Sequence, residues 1–297
     1  MVAKKKPLKS LSAGRPPLTH SSRTMSRKAS RSLINKHHQL EKQKRQAASA
    51  GDSQREAAID SQIEQLGGIM QYQAASLQGQ STERGGDTSR VLLDWLPMQK
   101  LKQGKDENSE KPRLLEVGSL STRNACSTSG VFDTVHIDLN SQEPGIEQQD
   151  FMERPLPQTD AARFDIISLS LVVNFVPDAA QRGEMLRRTL QFLRNTFTAT
   201  TTTTSTGDSQ EEMFPSLFLV LPRSCLDNSR YFTDERLLAI MQSLGYTRLR
   251  SKTTQKLAYS LWRRDGVMMP RGETFDKKEV NPGRSRNNFV ITLKRQR

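Results

Sequence analysis

Cysteine is scarce: Cys126 and Cys225 are the only two in 297 residues, with neither CxxC spacing nor histidines arranged around them. That excludes a disulfide framework and a structural zinc site, and leaves two buried or incidental thiols. The four histidines, His20, His37, His38 and His136, share no ligand spacing with one another or with an acid cluster, so metal catalysis finds no support. No apolar run is long enough to span a bilayer, and the N-terminus lacks the apolar stretch of a signal peptide, which predicts a soluble intracellular protein. Hydrophobic residues reach only 34%. At that level a sizeable part of the chain is expected to stay outside any packed core, so one large domain with appendages is the expected plan.

Charge is plentiful and uneven. Residues 1–50 hold 13 Lys and Arg against a single acid, Glu41, which is +12 of a formal +13. Residues 271–297 hold eight basic and three acidic residues, or +5, leaving −4 for residues 51–270. A basic tail on a mildly acidic core suits a polyanion, nucleic acid first, with counterion release supplying the affinity. "MVAKKKPLK" reads equally as a nuclear or nucleolar address, and one segment can serve both purposes.

Residues 1–30 have the composition of a disordered basic tail. Residues 31–108 read as a helical extension and linker: Ile59, Ile63, Leu66 and Met70 fall on one helix face, and Asp87 or Thr88 can cap a second helix containing Trp95. From 109 to 297 the pattern changes. "RLLEVG" (113–118), "TVHIDL" (134–139), "FDIISLSL" (164–171) and "LFLVLP" (217–222) are short apolar runs of the kind found in buried parallel strands. Helices are expected after Asp178 and over "TDERLLAIMQSLGY", ending at Gly245. The alternation predicts an α/β fold, a mostly parallel doubly wound sheet. "YTRLRS", "KLAYSLWR" and "NNFVITLKR" are expected to close it as strands of unknown order. The Thr-rich segment 195–214 is expected to be a surface loop.

Ligands on such sheets lie beyond the carboxyl ends of the strands, where strand order reverses. Glu116 and Gly118 end the first run, Asp138 follows Gly118 by twenty residues near the end of the second, and Asp150 comes at the end of the short "GIEQQDF". That places a close-approach glycine and a ribose-binding carboxylate in the order a nucleotide site requires. A dinucleotide also needs a pyrophosphate cradle, normally GxGxxG, and only Gly118 is present, followed by Ser119, Leu120 and Ser121. S-adenosylmethionine, which carries no phosphate, suits Glu116, Gly118, Asp138 and Asp150 better.

"LLEVGSLSTRN", "HIDLNSQEPGIEQQDFMERPLP", "FDIISLSLVVNFVPDAAQRGEML" and "LFLVLPRSCLDNSRYFTDERLLAIMQSLGY" together resemble the fungal large-subunit rRNA adenine-N1 methyltransferase family, 25S rRNA base methyltransferase 2, over roughly residues 88–297. The resemblance implies a class I Rossmann-like methyltransferase with S-adenosylmethionine as donor. It also implies 25S rRNA in the pre-60S particle as substrate and a nucleolar location. By motif position it implies Gly118 and Asp138 as the main cofactor contacts, with Glu116 and Asp150 beside them. Asn174 and Phe175 of "SLVVNFVP" stand where amino-adenine methyltransferases place an amide or acid and an aromatic. They are the expected base-contacting residues: Phe175 stacking, Asn174 bonding the base edge, Pro177 stiffening the loop. Alternatively Phe175 and Val176 are core and Asn174 caps the next helix. Related animal proteins resemble S-adenosylmethionine sensors without transferase activity; the strongly basic tail favours the enzyme reading. Nothing in the sequence requires more than a monomer.

Overall fold

The computed structural model describes residues 26–68, 71, 74–75, 86–103, 110–141, 143–195, 213–265 and 274–294. Most of the expected tail, nearly all of the Thr-rich segment and Met70 therefore lie outside the described residues. The chain divides into two compact units at Arg84/Gly85.

The first unit contains two helices, α1 (Arg27–Ser49) and α2 (Ser53–Gln65). Each begins on a side-chain cap: Ser26 Oγ accepts from the Ala29 N–H at 3.2 Å, and Asp52 Oδ1 from that of Arg55 at 3.0 Å. Leu40, Ala47 and Ile59 are buried with Ile63 and Leu66 packed against them, so the apolar face read in the sequence is the face that is covered.

The second unit is a seven-stranded sheet. In chain order it comprises α3 (Ser89–Trp95), α4 (Met98–Gln103), β1 (Arg113–Val117), α5 (Ala125–Thr128), β2 (Asp133–Asp138), β3 (Ile146–Gln148) and β4 (Ile166–Ser170). These are followed by α6 (Ala179–Phe192), β5 (Ser216–Pro222), α7 (Ser224–Asp227), α8 (Asp234–Ser243), β6 (Tyr246–Thr253) and β7 (Leu257–Arg264). Strand order is β3-β2-β1-β4-β5-β7-β6, parallel except for β7, which runs antiparallel to both neighbours. Order reverses between β1 and β4, whose register pairs Leu114 with Ile166 and Val117 with Leu169. This is the class I methyltransferase arrangement, with the switch point between those two strands.

The strands read as unbroken apolar runs because both faces are covered. On one face Leu115, Ile137, Ile167 and Leu219 pack against α6, α8 and the C-terminal segment. On the other, Leu114, Ile166 and Phe218 pack against Leu92 and Leu96, so α3 covers the sheet. Asp178 caps α6 by accepting from the N–H groups of Ala180 and Gln181, both at 2.9 Å, and Gly245 ends α8 at φ +82°.

One expected strand is not a strand. "NNFVITLKR" joins no ladder; single bridges Ser229–Asn287 and Phe275–Leu293 are its only β pairing among the described residues. Its apolar residues Phe289, Val290, Ile291 and Leu293 are buried over the helices instead. A short apolar run has the same appearance whether it enters a ladder or lies across a helix face. Gly183, in the middle of α6, exists for this packing: a Cβ there would stand 2.0 Å from the Thr292 carbonyl oxygen.

Candidate functional site

After Val117 the chain turns on Gly118 at φ +73°. The N–H groups of Gly118 and Ser119 both donate to the Ile137 carbonyl, at 2.8 and 3.1 Å, folding the turn over β2. A Cβ at position 118 would meet Val172 Cγ2 at 2.7 Å, so the loop after β4 lies directly against the turn after β1. Glycine is needed here twice, for the left-handed backbone and for the close approach. The facing loop begins at Leu171, a non-glycine residue at φ +59°, whose N–H is held by the Val220 carbonyl at 2.9 Å. A leucine in that region costs on the order of 1 kcal/mol or more, retained here by the β5 contact.

Asp138 is the last residue of β2 and Asp150 follows β3, so the two carboxylates end adjacent parallel strands. Asp138 Oδ1 accepts from the Asn140 N–H at 2.8 Å, Asp150 Oδ1 from that of Met152 at 2.7 Å, and the Gln149 N–H bonds the Asp138 carbonyl at 2.8 Å. Leu139, the residue after Asp138, is 68% exposed, an apolar surface next to the β2 carboxylate in the chain.

Glu116 is placed differently. Its carboxylate faces His136, its register partner on β2, at 3.1 Å, and accepts from Asn124 Nδ2 at 2.5 Å. The imidazole also meets Ser119 Oγ at 3.0 Å and Ser127 Oγ at 3.1 Å. Glu116 thus anchors the 119–127 loop from beneath, alongside the glycine turn.

Two further groups, invisible as site residues in the sequence, hold this loop, and a third, Thr88, reaches the end of β4. Glu143 Oε1 accepts from the Thr122 N–H at 2.6 Å, Thr122 Oγ1 at 3.0 Å and Ser121 Oγ at 3.0 Å. The Thr122 backbone bond foremost holds its carboxyl below the ordinary glutamate range. Asp87 accepts from the Ser89 N–H at 2.9 Å and from the Ala125 N–H at the start of α5. Thr88 Oγ1 meets Ser170 Oγ at 2.8 Å, at the end of β4. Asp87 and Thr88 read as helix caps; their longer-range partners lie 38 and 82 residues away, beyond any local pattern.

The loop after β4 carries Asn174 and Phe175. The Phe175 N–H donates to the Val172 carbonyl at 2.9 Å, closing a turn. Phe175 is half-buried, and Asn174 Oδ1 is a buried acceptor without a donor. Asn174 does not cap α6, since Asp178 does. Arg182 grips the loop from α6: Nε donates to the Val176 carbonyl at 2.7 Å, Nη2 to that of Pro177 at 3.3 Å, and Nη1 to that of Val290 at 2.7 Å. Its guanidinium also lies 4.6 Å from the Phe289 ring centroid, and burial lowers its pKa.

Gly118, Asp138, Asp150, Asn174 and Phe175 are thus brought to one edge of the sheet around the switch point. A cavity of about 370 Å³ opens farther along that edge, over β5, β6 and β7, lined by Arg223, Asp227, Asp234, Glu235 and Tyr259 among others. None of the expected site residues lines it. Among the described residues no three of His, Cys, Asp and Glu are grouped to hold a metal ion, and no helix is long and apolar enough to cross a membrane. Cys126 and Cys225 are free and buried, and desolvation pushes both thiols up to about 12.

Among solved structures, the chain is similar to the N-methyltransferase NodS from Bradyrhizobium japonicum, with 11% identity, a TM-score of 0.35 and coverage of 60% of this chain and 99% of that one. So low a score adds nothing to the strand order itself. Sequence comparison is stronger. The chain is 39% identical over 239 residues to the 25S rRNA (adenine(2142)-N(1))-methyltransferase of Saccharomyces cerevisiae, covering 79% of this chain and 63% of that protein, so it spans just under two thirds of that relative's length. It is 37% identical over 267 residues to the 25S rRNA adenine-N(1) methyltransferase of Schizosaccharomyces pombe, covering 87% and 89%. A model of the family described as 25S rRNA (adenine(2142)-N(1))-methyltransferase, Bmt2, matches residues 57–291. With that match running from within α2 to the buried C-terminal segment, the chain belongs to the 25S rRNA adenine-N(1) methyltransferase family.

Proposed function

We propose that the protein transfers a methyl group from S-adenosylmethionine to N1 of one adenine in 25S rRNA. The observation that carries this is the meeting of the Gly118 turn with the Val172–Phe175 loop across the switch point, next to a buried acceptor, Asn174 Oδ1, that has no donor.

The residues present fit S-adenosylmethionine. Asp138, at the end of β2, would accept from the ribose hydroxyls, and exposed Leu139 would offer an apolar face to the purine. Asp150, just past the neighbouring strand, would meet the purine's polar edge, and the single glycine turn suits a ligand without phosphates. When bound, S-adenosylmethionine supplies a methyl group on a positively charged sulfur. The remaining work belongs to the protein. Adenine N1 presents its own lone pair, so no strong base is needed, and the task is to orient the acceptor. N1 lies on the Watson-Crick edge, so the base must be unpaired or swung out of its helix to be reached. Phe175 then offers a stacking face, and Asn174 Oδ1 accepts from the exocyclic amino group adjacent to N1. Arg182, bonded to the Val176 and Pro177 carbonyls, keeps the loop in place. Glu116 is a positioning residue, acting through His136 and Asn124. The protein acts as a monomer in the nucleolus, on RNA within the pre-60S particle, and the basic segment 1–50 serves delivery and RNA capture.

The test is calorimetric titration with S-adenosylmethionine followed by transfer of labelled methyl to unmodified 25S rRNA, each repeated with Gly118→Arg. Binding and transfer, both lost in the variant, are expected. Binding without transfer would overturn the enzyme reading in favour of a cofactor sensor.

A further inference from the structure

Resting on that reading, we infer that the C-terminal strap, residues 277–287, is a docking surface for the phosphate backbone of the RNA beside the target adenine. The strap is pinned to the segment that follows β5. The Val280 and Asn281 N–H groups donate to the Arg230 carbonyl at 2.9 and 3.0 Å, and Arg230 Nη2 donates to the Gly283 carbonyl at 3.0 Å. Arg286 Nη1 donates to the Asp227 carbonyl at 3.1 Å, and Asn287 Nδ2 to that of Ser224 at 2.6 Å. The Asn287 N–H and carbonyl bond Asn228 and Arg230, at 3.0 and 2.9 Å. Lys277 Nζ lies 4.3 Å from the Tyr231 ring centroid. An exposed strap with this many fixed points is a built element.

What it displays is positive charge. Residues 274–294 carry Lys277, Lys278, Arg284, Arg286 and Lys294 against Asp276 and Glu279, a net +3, while residues 51–270 carry −4. Arg284 lies in the turn closed by the Arg286 N–H to the Gly283 carbonyl at 3.4 Å, and both Arg284 and Lys278 are exposed. Two nearby acids are paired within the protein: Asp227 with Arg223 at 2.6 Å and Asp234 with Arg248 at 2.7 Å. The position is what makes the charge useful. Arg182 ties the Val176 and Pro177 carbonyls of the loop bearing Asn174 and Phe175 to the Val290 carbonyl, just past the strap, so strap and loop are one fixed arrangement. A nucleotide extruded toward Phe175 drags its flanking phosphates along the chain's surface. Basic side chains held at a set offset from the loop would fix their register, as phosphate contacts do.

The experiment compares two charge reversals of equal size in the full chain: Lys278→Glu with Arg284→Glu on the strap, and Arg250→Glu with Lys252→Glu on the β6 edge. Both exchange exposed side chains, and S-adenosylmethionine affinity and the melting temperature serve as controls for folding. The probe is unmodified 25S rRNA transcribed in vitro, titrated across salt concentrations. The strap pair is expected to weaken RNA binding at least about tenfold and to flatten the dependence of log affinity on log salt by roughly 1.5 to 2, with cofactor affinity unchanged. The β6 pair is expected to cost several-fold less. Equal losses in both pairs would reduce the strap to general charge and overturn the proposal, as would no loss in either. A defect confined to methylation of the pre-ribosomal particle, with naked RNA bound normally, would assign the strap to a protein partner and also overturn it. Strap-specific loss of RNA binding in a protein that transfers no methyl would uphold the strap and sink the transferase reading, so the two fail separately.

Discussion

At the scale of single residues, the site depends on groups whose neighbours come from distant parts of the chain. Gly118 sits at φ +73° with Val172 in the space its side chain would fill. Gly118→Ala is expected to cost about 1–2 kcal/mol from the left-handed backbone, and more from the Val172 contact. Calorimetry should show cofactor affinity falling at least tenfold, while circular dichroism shows the sheet intact. Asn174→Ala removes a carboxamide whose buried oxygen has no partner in the free protein, so stability should hold and cofactor affinity should stay within about twofold. Methyl transfer should fall on the order of a hundredfold, as for a lost orienting contact; undiminished transfer would sink the role given to Asn174. The places of Gly118, Asp138 and Asp150 at strand ends were legible because strand-end glycines and acids recur at set places along a chain. His136 was not. Its importance comes from facing Glu116 across the β1–β2 register, which only pairing creates.

At the scale of elements, each of two loops is gripped by a charged side chain from outside it. Glu143 grips the 119–124 loop through Thr122 and Ser121, and its carboxyl lies below its ordinary value. An acid with a depressed folded-state pKa contributes its grip fully above its unfolded value and loses it as pH falls through the folded one. This contribution is therefore constant above roughly pH 5 and fades only in stronger acid. Titrations with S-adenosylmethionine should show an affinity insensitive to Glu143 protonation near neutrality, yet lowered about tenfold by Glu143→Ala through lost preorganisation. Arg182 ties the other loop to the C-terminal segment, with two bonds to loop carbonyls and one to that of Val290. Arg182→Ala should lower stability by about 2–4 kcal/mol in urea denaturation, since bonds to a charged donor are among the costlier ones to lose. It should reduce kcat more than cofactor affinity, because Arg182 holds the base-side loop. The helices after Asp178 and Thr233 were readable from their caps, whereas the C-terminal segment was misread as a strand. Its apolar run records that it is buried, without recording against what.

At the scale of the whole molecule, charge is separated from chemistry. The segments beyond the −4 stretch carry the positive charge, and the cofactor-side acids sit within that stretch. RNA binding by the full chain should therefore fall steeply with salt, while cofactor binding, which releases no condensed counterions, should barely change; parallel titrations at two ionic strengths check both. The sequence by itself determined the α/β class, the order of strand-end residues and the uneven charge, because strands covered on both faces, helix caps and composition are local properties. Only the tertiary structure decided that the turn after β1 touches the loop after β4, that Glu116 bonds the loop beyond that turn, and that the C-terminal run covers helices while its strap is pinned to the segment after β5. Those facts follow from strand order and register, which bring together residues as much as a hundred positions apart, and no local pattern encodes such distances.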